Sequence, residues 1–121
     1  MQRPEQDLHK AVAAHLRARG AIGLVWWHTP NGARVPGRRG HIQGAIAKGM
    51  GVRAGVADII AFHRGKFYAL ELKAPGGRPT NDQLTFLHEV REQGGFGSIA
   101  EGLDDALRTL EFWGLLRGAV A

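Results

Sequence analysis

The stretch GVADIIAFHRGKFYALELKAPGGR, residues 55–78, has the pattern of two strands joined by a tight turn. Apolar runs rich in Ile, Phe, Tyr and Leu lie on both sides of the pair Arg64-Gly65. Runs of this kind, separated by a two-residue turn, are typical of an antiparallel β-hairpin. We therefore predict strands over residues 56–63 and 66–73, and the rest of the fold is built around this hairpin.

The register of the hairpin decides where its charged side chains lie. If Arg64-Gly65 is the loop, a count back along both strands sets Asp58 directly opposite Glu71. Opposed residues have Cβ atoms about 4.5–5.5 Å apart on one face of the sheet. Lys73, two residues beyond Glu71, projects from that same face. A longer, bulged turn would offset the two carboxylates. A two-residue offset would leave them diagonal and within reach of a shared ion, whereas a one-residue slip would put them on opposite faces.

Two carboxylates at such a distance repel each other unless a cation lies between them. Mg²⁺ is bound in proteins by one or two carboxylates together with substrate phosphate and water. A lysine beside the ion can orient or deprotonate a water and offset charge that develops on phosphorus. Asp58, Glu71 and Lys73 therefore predict phosphodiester hydrolysis. The alternative is a surface salt bridge between Lys73 and one of the acids.

Hydrophobic periodicity and turn residues predict the remaining elements. Thr80 begins a helix with a capping-box pattern, because Gln83 follows three residues later. The other predicted elements are helices over residues 5–19 and 42–50, strands over residues 21–28 and 96–100, and a helix from residue 103 onward. This order, α-β-(α)-β-β-α-β-α, predicts an α/β fold with a mixed β-sheet flanked by helices.

Composition limits the class of protein. At 121 residues and 44% hydrophobic content, residues 1–121 are expected to form a single domain with one modest core. The absence of cysteine excludes disulfides and thiolate metal sites. No apolar run approaches the ~20 residues of a membrane span, and the polar N-terminus does not resemble a signal peptide. We expect a cytoplasmic protein.

The distribution of charge indicates a polyanionic partner. The chain carries 16 Lys and Arg against 11 Asp and Glu, and no acidic residue lies between Leu8 and Ala57. Such a basic block favours nucleic acid, although a solvated basic face is the alternative. The candidate contacts to nucleic acid are Arg34, Arg38, Arg39, Lys48, Arg53, Arg78, His28 and Asn31. They would position a backbone without reading its sequence.

Several short motifs together resemble one nuclease family. They are GVAD at residues 55–58, ELK at residues 71–73, and APGGRPTNDQ followed by a helix that carries Gln83. This set resembles the VRR-NUC branch of the PD-(D/E)XK nucleases, in the small stand-alone form found in phages and prophages. HTPNGARV and KGMGVRAGVAD also resemble the segment that these proteins carry before the hairpin. One departure is Ala57, which stands where the superfamily has proline.

The resemblance implies a PD-(D/E)XK restriction-endonuclease-like core and assigns roles to particular residues. It implies a catalytic set: Asp58, Glu71, Lys73, Gln83 and Glu5. The implied ligands of Mg²⁺ or Mn²⁺ are Asp58, Glu71, Glu5 and the main-chain carbonyl of Leu72. Lys73 would be the catalytic lysine, and Gln83 would hold substrate or water near the ion. Capping alone would explain Gln83, and the helix dipole alone would explain Glu5.

The function implied by the resemblance is a metal-dependent endonuclease that hydrolyses DNA phosphodiester bonds. Its substrate would be junction or branched DNA in phage replication or repair, within the host cytoplasm. Stand-alone members tend to be homodimers, and the apolar C-terminal tail either closes the core or forms that dimer interface. Two alternatives remain: a non-catalytic nucleic-acid-binding module with a nuclease fold, and a nuclease subunit targeted by a replication, repair or packaging partner.

Overall fold

The computed structural model describes residues 4–30 and 38–118, with the side chains of residues 38 and 39 excepted. The helices in these ranges are α1 (Pro4–Arg19), α2 (Arg38–Gly49), α3 (Asn81–Glu92) and α4 (Leu103–Phe112). The strands are β1 (Val25–His28), β2 (Ile59–His63), β3 (Lys66–Lys73) and β4 (Phe96–Glu101). The predicted α/β class and element order are confirmed.

The four strands form one mixed sheet in the order β1-β2-β3-β4. The β1–β2 and β2–β3 pairs are antiparallel, whereas β3 and β4 run parallel. A parallel pair requires a crossover connection, and α3 provides it. None of the helices in the described part of the chain is long and apolar enough to cross a bilayer.

The turn of the β2–β3 hairpin has the two residues that the sequence predicts. His63 pairs with Lys66, and the loop residues Arg64 and Gly65 have φ angles of 52° and 78°. Two successive positive φ angles match the right-handed twist of the strands and close the hairpin without a bulge. The hairpin register is therefore the one that sets Asp58 level with Glu71.

Each face of the sheet carries its own hydrophobic cluster. On one face, α1 and α4 pack Val12, Leu16 and Leu110 against Leu70 and Leu72 of β3. On the other face, the α3 residues Leu87 and Val90 pack with residues 60 and 69 of the hairpin. Because side chains alternate along a strand, Glu71 and Lys73 belong to the α3 face.

Three elements begin three or four residues away from their predicted starts. β1 begins at Val25, not at residue 21, because Leu24 N donates to Ala21 O at 3.0 Å in a turn that includes Gly23 with φ 83°. β2 begins at residue 59, not 56, and α2 begins at residue 38, not 42. Arginine favours a helix, which is consistent with the earlier start of α2.

The apolar segment after α4 closes the core, which was one of its two predicted roles. Leu115 and Leu116 are buried in the cluster under α1 and α4. Gly20 forms an isolated bridge with Leu116, and Arg117 N donates to Arg19 O at 2.8 Å. Phe112 remains 80% exposed. Val120, which also belongs to the predicted tail, lies outside the described residues.

Gly55 fixes the segment that enters β2 against the start of α3. Its φ is 82°, and a Cβ at this position would lie 2.4 Å from the main-chain carbonyl carbon of Asp82. Glycine is therefore required here twice over, for a left-handed backbone and for a close approach between two main chains.

Replacement of Gly55 by alanine is expected to destabilise the protein more than Gly94→Ala. Gly94 follows α3 with φ 85°, and a methyl group added there would have no heavy atom within 4 Å. Gly94→Ala should cost only the left-handed strain of about 1–2 kcal/mol. Gly55→Ala adds the collision with Asp82, typically about 1–3 kcal/mol more. Urea unfolding of both variants measures the difference, and equal losses would contradict the close approach.

Candidate metal centre

Asp58 and Glu71 are buried side chains that carry charge. Each is 1% exposed, and they are the buried polar or charged residues among those that the structure describes. Removing a carboxylate from water is costly unless it is paired and hydrogen-bonded. The contacts around these two residues therefore decide what the site can do.

Asp58 directly precedes β2 and is held by hydrogen bonds from both sides. The pairing of Ile59 with Leu70 places Asp58 one step further along, level with Glu71. Leu72 N donates to Asp58 Oδ2 at 2.8 Å. On the other side, the amide of residue 29 donates to the main-chain oxygen of Asp58 at 2.8 Å. The β1 and β3 sides of the sheet thus fix both the backbone and the carboxylate of Asp58.

The surroundings of Glu71 strongly shift the pKa of its carboxyl group. Burial, and after it the negative charge of Asp58, raises the pKa of Glu71 from 4.5 to about 7 against the opposing effect of Lys73. Lys73 Nζ lies 3.2 Å from Glu71 Oε2. The second oxygen, Oε1, is buried and accepts no hydrogen bond from the described residues. Glu71 therefore offers an oxygen that a bound cation would satisfy.

The structure brings together the three residues that the hairpin pattern singles out. The Lys73 side chain is 12% exposed, and its ammonium faces the carboxylate of Glu71. Glu71 is also close enough to Asp58 for the charges of the two carboxylates to interact. The salt bridge considered as an alternative is present between Lys73 and Glu71, but it is buried, not on the surface. One ammonium therefore faces a site that contains two carboxylates.

Sequence reasoning missed His9. This residue follows the buried Leu8 on α1 and is half-buried. Its Nε2 lies 3.7 Å from Asp58 Oδ2, and its Nδ1 lies 2.8 Å from His28 Nε2. The spacing of four residues between Glu5 and His9 was the available signal, because such residues share one face of a helix.

His28 ends β1 beside Asp58, where the sequence predicted a contact to phosphate. Burial lowers the pKa of His28, the charge of His9 lowers it further, and Asp58 opposes them. His9, His28 and Asp58 each offer one ligand atom, and the three atoms lie within 4.8 Å of one another. The predicted metal site is therefore flanked by a second group of potential ligands.

Gln83 and Glu5, which were predicted to support the reaction, each lie in the first turn of a helix. Gln83 N donates to Thr80 Oγ1 at 3.2 Å and Thr80 N donates to Gln83 Oε1 at 2.8 Å, so the predicted capping box is confirmed. Glu5 is exposed in the first turn of α1, one turn before His9. Catalytic roles for Gln83 and Glu5 stay predictions.

The predicted contacts to nucleic acid are described only in part. Asn31 and Arg34 lie outside the described residues, and residues 38 and 39 are described only by their backbone in α2. Lys48 and Arg53 line a cleft of about 840 Å³ between α2 and the start of α3. Arg53 pairs with Glu89 and lies over the ring of residue 86 at 5.2 Å. Arg78 is exposed in the loop after β3.

Ala57 occupies the position where the resembled superfamily has proline. Its side chain is 1% exposed and belongs to the cluster that contains Leu87 and Val90 of α3. The small apolar side chain therefore fills this position in the core, two residues before β2 begins.

The fold matches solved structures of one domain type. A structure described as "VRR_NUC domain protein" superimposes with a TM-score of 0.72 at 18% identity, over 93% of this chain and 89% of that chain. Another, described as "VRR_NUC domain", gives a TM-score of 0.59 at 16% identity, over 93% of this chain and 99% of that chain. The sequence matches no family model and no curated protein. The fold is that of VRR_NUC domain proteins, as the motifs indicate.

Glu71 is expected to contribute less stability to the metal-free protein as the pH rises from 4.5 to about 7. Folding raises the pKa of Glu71 from 4.5 to about 7, so the folded chain binds more protons than the unfolded chain within this interval. The contribution of Glu71 to the free energy of unfolding must then fall with rising pH. The lowered pKa of His28 acts in the opposite direction. The contribution of Glu71 is most favourable below the lower value and least favourable above the upper one.

Urea unfolding in the presence of a chelator, at a series of pH values, measures this slope. Glu71→Gln should make the slope more positive than that of the wild type, because the neutral amide does not titrate. Asp104→Asn, at an exposed carboxylate in the first turn of α4, should keep the wild-type slope. Parallel curves for wild type and Glu71→Gln would contradict the raised pKa.

Proposed function

We propose that this chain belongs to the VRR-NUC family and is a metal-dependent endonuclease that hydrolyses DNA phosphodiester bonds. The observation that carries the proposal is the pair of buried carboxylates, Asp58 and Glu71, with Lys73 Nζ 3.2 Å from Glu71. The fold supports it, since it is shared with VRR_NUC domain proteins.

The donor atoms around Asp58 suit a hard divalent cation. Asp58 and Glu71 would hold Mg²⁺ or Mn²⁺, together with the main-chain carbonyl of Leu72. The buried Oε1 of Glu71, which lacks a hydrogen-bond partner among the described residues, supports this assignment, because oxygen is the ligand that these ions prefer. The chemistry that a bound cation supplies is Lewis-acid stabilisation of negative charge on a phosphodiester.

Lys73 would act on the attacking water and on the phosphate. Its ammonium has three donors, of which one is directed to Glu71 across 3.2 Å. The others can orient a water for in-line attack and offset charge on the phosphate oxygens. Burial of the Lys73 side chain, which is 12% exposed, strengthens these interactions because little water competes with them.

Gln83 and Glu5 would support the reaction from the two adjoining helices. The Oε1 of Gln83 accepts a hydrogen bond from Thr80 N, so its amide nitrogen is the group that would contact water or phosphate. Glu5 lies on the same helix face as His9, whose ring borders Asp58. The Glu5 side chain is exposed, so the core does not fix its conformation.

The proposed function also includes a DNA substrate structure and an oligomeric state. We propose that the protein acts on junction or branched DNA in phage replication or repair, as a homodimer in the host cytoplasm. Trp27 is 45% exposed and stacks on Phe62, with ring centroids 5.9 Å apart. An exposed aromatic pair on the sheet suits stacking on bases or contact with a second subunit.

Asp58→Asn and Glu71→Gln are each expected to abolish nicking of supercoiled plasmid with Mg²⁺ or Mn²⁺, because a single remaining carboxylate binds the ion poorly. Asp104→Asn, in the first turn of α4, is the matched control and should cut like wild type. Agarose gel assays of tag-free protein measure the rates. Cleavage by Asp58→Asn at the wild-type rate would contradict the proposal. If the wild-type protein binds DNA but does not cut it, the non-catalytic alternative is favoured.

Lys48→Gln and Arg78→Gln are each expected to weaken DNA binding without changing its sequence preference. Each lost phosphate contact should reduce the slope of log K against log salt by about 0.9. Fluorescence anisotropy at several salt concentrations measures the slope. Arg108→Gln removes an exposed arginine from α4 and should leave it unchanged. Equal slopes for all three variants and the wild type would show that Lys48 and Arg78 do not contact the DNA phosphates.

A further inference from the structure

We propose that His9, His28 and Asp58 form a second cation site, which binds divalent transition-metal ions such as Zn²⁺ and Co²⁺ in preference to Mg²⁺. The site adjoins the one at Asp58 and Glu71 and shares Asp58 with it. The inference rests on the proposed function only in that shared carboxylate, since the two histidines hold no ion in the roles assigned above.

The three ligand atoms are already close together. His9 Nε2 is buried and makes no hydrogen bond with the described residues, although it lies 3.7 Å from Asp58 Oδ2. His28 Nε2 lies 2.8 Å from His9 Nδ1, and one ligand atom from each residue falls within a 4.8 Å span. Zn–N bonds of about 2.0–2.1 Å in a tetrahedron place ligand atoms about 3.3 Å apart. Ion binding therefore requires the rings to rotate, and ligation through His28 Nε2 would replace its hydrogen bond to His9 Nδ1.

The donor set decides which ions the site takes. Two imidazoles and one carboxylate, with further positions open to water, form a common set for catalytic zinc and for other first-row transition metals. Mg²⁺ instead prefers oxygen ligands and retains much of its water. Glu71 and Asp58 offer oxygen atoms alone, whereas the His9 side of Asp58 offers nitrogen. The two sites would therefore share the Asp58 carboxylate but prefer different ions.

Rigid elements hold all three ligands. His9 lies on α1 next to Leu8, which is buried in the core. His28 is paired with Ile59 in the sheet, and Asp58 Oδ2 is fixed by the amide of Leu72 at 2.8 Å. Ligands on packed helices and strands lose little freedom when an ion binds. A histidine pair that only faces the charge of Asp58, without binding an ion, is the competing explanation of the same geometry.

Nitrogen NMR of the histidine rings in tag-free wild-type protein tests the inference directly. Addition of Zn²⁺ should shift the ring nitrogens of His9 and His28, whereas Mg²⁺ should not. The exposed ring of His88, which pairs with Glu92 at 3.5 Å on α3, serves as the internal reference. If Zn²⁺ leaves the His9 and His28 rings unshifted, the site does not exist, whatever the variants show.

Calorimetric titration of variants with Zn²⁺ separates this site from the one at Glu71. His9→Gln and His28→Gln should each lower the Zn²⁺ affinity at least about tenfold, and His88→Gln should not change it. Glu71→Gln should keep most of the Zn²⁺ affinity while it loses cleavage. Zn²⁺ binding that survives both histidine changes and disappears with Glu71→Gln would overturn the inference. Absence of Mg²⁺-dependent cleavage in a protein that binds Zn²⁺ as expected would instead overturn only the proposed function.

Discussion

The burial of two carboxylates at one end of a hairpin is the constraint on which the rest of the site depends. Burial and the charge of Asp58 together raise the pKa of Glu71 to about 7. One amide, at Leu72, and one ammonium, at Lys73, offset part of the repulsion. Replacement of such a buried charged pair by apolar residues is often neutral or stabilising. Retention of both carboxylates is consistent with the cation site that we propose.

The surrounding structure keeps this pair in place. The two-residue turn at Arg64-Gly65 sets the register, and Gly55 anchors the entry to β2 against the first turn of α3. The separate hydrophobic clusters on the two faces then fix the sheet between its helices. Asp58 is consequently reached from two directions, by Glu71 within the sheet and by His9 from α1. In the two sites that we propose, Asp58 would be the shared ligand.

Local signals in the sequence predicted the hairpin, its register and the group formed by Asp58, Glu71 and Lys73. These features follow from alternation along strands and from turn length, which act over a few residues. The α3 cap at Thr80 was predicted for the same reason. His9 was not, because its approach to Asp58 depends on how α1 packs on the sheet, far from Asp58 along the chain. The start of β1 was misplaced because an apolar run does not distinguish a strand from the turn before it.

We propose that Asp58 and Glu71 jointly hold one divalent ion. Anomalous diffraction from a crystal grown with Mn²⁺ would locate the ion without reference to activity. A peak is expected within coordination distance of a carboxylate oxygen from each residue, with Lys73 alongside. A peak bound by only one of the two carboxylates, or an empty site at saturating Mn²⁺, would contradict it.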